Sequence, residues 1–253
     1  MILDLPKHLA ALASSHPAVA HRWKAGDDMA ALGNETPALL KNVGMLSLRA
    51  VLGLQAALGE WMAERFRHLH DMTQVDQVNA AVWAASIDFR YLRLEAMQFA
   101  KATGPIEGPL RESNAGARDI CAAYPDAEFG VVRYVVGSAN LVKYVLPDSK
   151  AFQAWFKAVV QALPALSAPS AREAGALDID IVSQPPQGVS PAIFGTPVPR
   201  EAFDPSFDLA AADPAALIDA MLVRIEAVPN PYLRSAAELA AAGFPGRPYR
   251  FPS

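Results

Sequence analysis

Val75, Val78, Val82, Ala85, Phe89, Leu92, Ala96 and Phe99 recur at alternating steps of three and four. That spacing places one apolar seam along a helix of about seven turns, with Gly104-Pro105 as its stop. The preceding stretch has no proline between Pro37 and His70. In it Leu39, Val43, Leu46, Leu54, Trp61 and Leu69 fall near one face, and Leu40, Leu48, Leu52 and Leu58 widen that face. Thr36 before Pro37 reads as an N-cap followed by proline at the first helical position. Thr73 with Asp76 resembles a capping box for the second helix. Two long helices joined by the short turn 71–73 are expected to pack as an antiparallel pair, with Val82, Phe89 and Leu92 nearly fully buried.

Around this pair the pattern predicts shorter elements. Asp4 caps a helix to about Ser14, and 19–24 forms another. Ser113 caps one to about Tyr124, and Asp148 one to Leu163. The valine-rich run 128–146 favours strand by composition. Phe129, Val132, Val135, Ala139, Val142 and Leu146 nevertheless keep helical spacing over a length that strands rarely reach, so helix is preferred. Past Leu163 the pattern changes. Leu177, Ile179 and Ile181 alternate with Asp178 and Asp180 as in a short strand. Pro185, Pro186, Pro191, Pro197, Pro199 and Pro205 then enforce extended chain. Val189, Ile193, Phe194, Val198, Phe203 and Phe207 are threaded among them, as in a strap laid over a bundle. Helices are expected again from Asp213-Pro214 to Val228, and from Ser235 to Ala242 with Glu238 at the capping-box position and Gly243 as stop. The fold class is therefore all-α. An antiparallel bundle over 1–165, with a long central helical hairpin, is wrapped by a proline-rich strap and two short helices over 166–253, in one domain.

Composition narrows the function. The 253 residues are 52% hydrophobic, and the surplus is largely alanine, which speaks for helix more than for membrane. Val43–Gly59 and Val131–Leu146 are the most apolar runs, but Arg49, Arg133 and Lys143 interrupt them and no span of about 20 apolar residues exists. The first residues, with Asp4 and Pro6, do not resemble a signal peptide. Cys121 is the only cysteine; it excludes an intramolecular disulfide, reads as a small buried residue, and suits a reducing, cytoplasmic setting.

Catalytic motifs are weak. Glu60, Glu64 and His68 are spaced by four, whereas di-iron bundles need glutamate and histidine three apart on two helices. At that spacing Glu64 meets Arg67 and Glu95 meets Gln98, so a solvated face with internal ion pairs is preferred and no metal or cofactor is expected. No G-x-S-x-G elbow, P-loop or dinucleotide fingerprint occurs. Arg65, Arg67, His68, His70, Arg90 and Arg93 form a basic cluster, but the net charge of −4 and the nearby Asp88 and Glu95 favour ion pairing over nucleic acid.

Charge is distributed unevenly. From Arg172 to Glu226 there are three basic and nine acidic residues, net −6, leaving +2 for the remainder. An acidic, proline-stiffened surface carrying Asp178, Asp180, Glu201, Asp204 and Asp208 fits a protein partner with a basic face. The preferred function is a non-catalytic protein-binding protein of the bacterial immunity type, which blocks a partner toxin. The alternatives are an enzyme with Glu60, Glu64, His68, Arg90 and Glu95 lining a pocket in the bundle, and an oligomeric scaffold using an exposed apolar helix face. A pocket with convergent polar groups favours the enzyme, and an acidic ridge favours the binder.

Overall fold

The computed structural model describes residues 2–23, 37–125, 130–167 and 194–251. Their regular structure is helical throughout, apart from one antiparallel bridge between Leu92 and Leu233. In chain order the helices are α1 (Ala10–Ser15), α2 (Pro37–Gly44), α3 (Leu48–Phe66), α4 (Thr73–Ile87), α5 (Glu107–Ala123), α6 (Gly130–Val145), α7 (Lys150–Leu166), α8 (Pro214–Glu226) and α9 (Ala236–Ala241). The valine-rich run is thus helical in α6, as its spacing predicted. The strand expected over 177–181, the prolines at 185, 186 and 191, Val189, Ile193, Thr36 and Phe129 lie outside the described residues.

α3 is the centre of the molecule. It packs most extensively on α4 and also touches α5 and α6, while α5 packs on α6. Between Leu48 and Glu64 only Arg49 and Glu60 are less than buried, because helices lie on several of its sides. Along the α3–α4 interface Arg67 meets Asp76 and Glu60 meets Trp83.

The two long helices are shorter than the sequence suggested. The run 37–70 divides at Met45–Ser47, where Leu46 N–H closes a turn on Val43 O. Ser47 is extended, and its hydroxyl accepts from Ala50 N–H, so an N-cap begins α3 inside an unbroken apolar pattern. The heptad seam also stops early, at Ile87. Asp88 turns extended and its carboxylate accepts Arg90 N–H, and two short 3-10 turns, Phe89–Tyr91 and Leu94–Ala96, follow. The backbone bonds lost from the helix are replaced by tertiary ones: Arg93 N–H donates to Tyr232 O and Arg234 N–H to Tyr91 O. Val82 and Leu92 are buried as expected. Phe89 is only half-buried, stacked on Tyr124 with centroids 5.1 Å apart.

Smaller expectations also change. Asp4 caps nothing; its carboxylate pairs with Arg224, and α1 is preceded by a 3-10 turn, Lys7–Leu9. Residues 19–23 are irregular, and Arg22 O there accepts from Tyr144 Oη. Ser113 is buried inside α5, which begins at Glu107. Thr73 donates to Asp71 from both N–H and Oγ1, and Asp76 turns to Arg67, so the capping box there does not form. At α9 it does, with Ser235 and Glu238 bonded reciprocally.

Candidate functional site

Glu60 and Glu64 lie one turn apart on α3, facing α4. α4 supplies Asp76, Asn79 and Trp83 at steps of three and four, and the segment after Pro199 supplies Arg200. Glu60 Oε1 accepts from Arg200 Nε at 2.6 Å and from Trp83 Nε1 at 2.9 Å. Arg67 donates to Glu64 at 2.8 Å and to both Asp76 oxygens at 2.8 and 3.0 Å. Burial raises the Glu60 carboxyl, although Arg200 and Trp83 oppose the shift. The hydrogen bonds that Arg67 donates to Asp76, with the one to Glu64, raise its guanidinium against its own desolvation.

This cluster borders a cavity of about 30 Å³, lined on the other side by Ile2, Leu3, Leu5, Pro6 and Leu9. Asn79 Nδ2 is buried there without a partner. A space of this size holds a water or two and no organic substrate. In this arrangement the charges act as a lock joining α3, α4, the N-terminal segment and Arg200. Arg200 extends the lock by donating to Asp4 O at 2.6 Å.

Of the five residues suggested by sequence for a pocket, only Glu60 and Glu64 come together. His68 stands beside His16, Arg90 is bound by Asp88, and Glu95 is exposed in a 3-10 turn. Arg200, Trp83 and Asn79 carried no local signal; Arg200 lies 140 positions from Glu60. Cys121 is fully buried, and burial pushes its thiol up to about 12, which removes thiolate chemistry at neutral pH. Among the described residues no group of three or more His, Cys, Asp or Glu side chains could hold a metal ion.

The acidic residues are in three situations. Asp178 and Asp180 lie outside the described residues. Asp208 is exposed and accepts Ala210 N–H. Glu201 is half-buried in the turn Arg200–Phe203. Asp204 is not the exposed group that the sequence suggested: it is only 8% exposed, because its carboxylate folds back onto Ser206 N–H and Oγ. Burial raises the Asp204 carboxyl, but the two bonds from Ser206, with His8 and the Lys7 N–H, together hold the group below its ordinary value.

The segment carrying these acids is docked. Phe203 packs edge-on against Trp83, centroids 5.1 Å apart, and fills the space left by Gly53, where a Cβ would stand 2.5 Å from the ring. Trp155 Nε1 donates to Phe203 O at 2.8 Å, and Ser167 Oγ to Thr196 O at 2.8 Å. Gly195 has φ +69° and would place a Cβ 2.4 Å from Ser47, so both conformation and space require glycine. Phe194 packs against Tyr124, and Val198 is buried. No helix among the described residues is long and apolar enough to cross a membrane. No protein-family model, curated protein or solved structure matches the chain.

Proposed function

We propose that this chain is a non-catalytic protein-binding protein of the bacterial immunity type, acting in the cytoplasm by blocking a toxin that has a basic surface. Asp178, Asp180, Glu201 and Asp208 supply the acidic face, while Asp204 shapes the turn between the last two. The observation that supports this is the docking of 194–208 on α3, α4 and α7 through the Arg200–Glu60 ion pair, Phe203 against Trp83, and Trp155. Carboxylates on a segment held in this way lose little freedom on association and act together as one field.

Affinity capture followed by mass spectrometry supplies the partner, and the association rate of the captured protein then tests the proposal. The rate is expected to fall as salt rises and to fall further in Glu201→Gln/Asp208→Asn, with the largest difference at low ionic strength. A rate indifferent to both salt and substitution places the binding face elsewhere. One observation favours the alternative enzyme: a largely buried carboxyl, Glu60, with its pKa raised beside a cavity.

A further inference from the structure

His16 and His68 are 52 positions apart in sequence and stand together at one end of α3. Their ring centroids are 4.8 Å apart and their planes meet at 71°. A metal about 2.0–2.1 Å from each ligating nitrogen lies roughly 3.2 Å from each ring centroid, so two imidazoles on one ion at about 90–110° have centroids roughly 4.5–5.2 Å apart. The observed separation falls inside that range. We propose that His16 and His68 form a two-imidazole site for a late first-row divalent metal ion, namely zinc, nickel or copper(II). Imidazole nitrogen selects these ions over magnesium and calcium, which take oxygen ligands.

The pair is held from behind. Arg65, one turn before His68 on α3, is fully buried and donates to Pro17 O at 2.8 Å and Ala18 O at 2.9 Å. Its Nε donates to Val145 O, at the C-terminus of α6, at 2.9 Å. The backbone just after His16 is therefore fixed to the helix that leads into the turn carrying His68. His16 itself has φ 41° and ψ 54°, a left-handed conformation uncommon outside glycine and more frequent in His, Asn and Asp. Both rings are exposed, which leaves the remaining coordination positions to water. A bound ion joins the N-terminal segment to α3.

Calorimetric titration of zinc chloride, and separately nickel chloride, into the full chain tests this, with the protein free of any affinity tag and stripped with chelator. One ion per chain is expected, unaffected by excess magnesium, together with a rise in the thermal midpoint. His16→Asn, which tolerates the left-handed backbone, and His68→Gln should each weaken binding by at least about tenfold and abolish the thermal shift, with circular dichroism unchanged. His70→Gln should behave as the parent. With copper(II), nitrogen couplings in the electron paramagnetic resonance spectrum should report two imidazoles in the parent and one in either variant. Absence of binding, equal binding in both variants, or loss confined to His70→Gln overturns the proposal.

Discussion

Arg65 and Arg200 are both largely removed from water, and their partners give them different energetics. Arg65 donates to three backbone carbonyls. Replacing it by alanine leaves these acceptors under-satisfied and opens a hole between α3 and α6. Arg65→Ala should lower stability by about 3–5 kcal/mol; Arg65→Lys should cost less because it keeps a cationic donor, yet still cost something because an ammonium cannot span three carbonyls. Chemical denaturation midpoints check both. Arg200 instead compensates Glu60 across two side chains that are each 12% exposed. Arg200→Ala leaves a buried carboxylate without its cation and should cost about 3–5 kcal/mol at neutral pH. The sign with pH follows from the direction of the Glu60 shift. A carboxyl whose folded pKa is raised binds its proton more tightly when folded, so stability falls as pH rises through the window between the unfolded and folded values. Removing Arg200 raises that folded value further. The deficit of the variant relative to the parent should therefore be larger at about pH 8 than at about pH 5. A deficit that is flat or reversed between the two shows that Glu60 does not carry it.

At the scale of elements, two glycines separate propensity from packing. Gly44 ends α2, and a Cβ there would meet nothing within 4 Å. Gly44→Ala should therefore be neutral or add up to about 1 kcal/mol of stability. Gly53 lies in the middle of α3, where propensity alone makes the same prediction. A Cβ at Gly53, however, would stand 2.5 Å from Phe203 Cζ and 3.2 Å from Trp83. Gly53→Ala should cost about 1–3 kcal/mol and loosen the segment around Phe203, seen as faster amide exchange there. Ser47 tests the break between α2 and α3. Its hydroxyl caps α3 and lies 2.6 Å from Ser167 Oγ, which in turn holds Thr196 O. Ser47→Ala should cost about 1–2 kcal/mol, toward the upper end for a cap because the Ser167 bond is lost with it.

At the scale of the whole molecule, the chain ends are fastened to the helices between them. Arg224 on α8 holds the Asp4 carboxylate. Tyr249 N–H donates to Tyr91 Oη and Tyr249 Oη to Arg234 O. Phe251 N–H reaches Asp219. These ties cross from residue 4 to residue 251. Unfolding should therefore be one transition, with tryptophan fluorescence and far-ultraviolet circular dichroism superimposing. Two separated transitions would divide the chain near residue 167 into independent units.

Local pattern alone determined that the chain is helical, that 130–145 is helix despite its valines, and that Asp213 and Ser235 begin the last two helices. Period, capping and proline placement act over a few residues, so they are legible without tertiary contacts. The ends of α3 and α4 were decided by the tertiary structure, because Ser47 and Asp88 found partners that an unbroken apolar seam does not announce. So was the polar cluster: Glu60 and Glu64 could be picked out by spacing, but the cation that neutralises Glu60 comes from Arg200, 140 positions away. Asp204 belongs to the same class, since its charge suggested a solvent-facing group until the turn at Ser206 folded it inward. Distance along the chain bears no relation to distance in space once helices pack. Burial, ion pairing and the meeting of His16 with His68 were therefore fixed by packing, and no sequence window contained them.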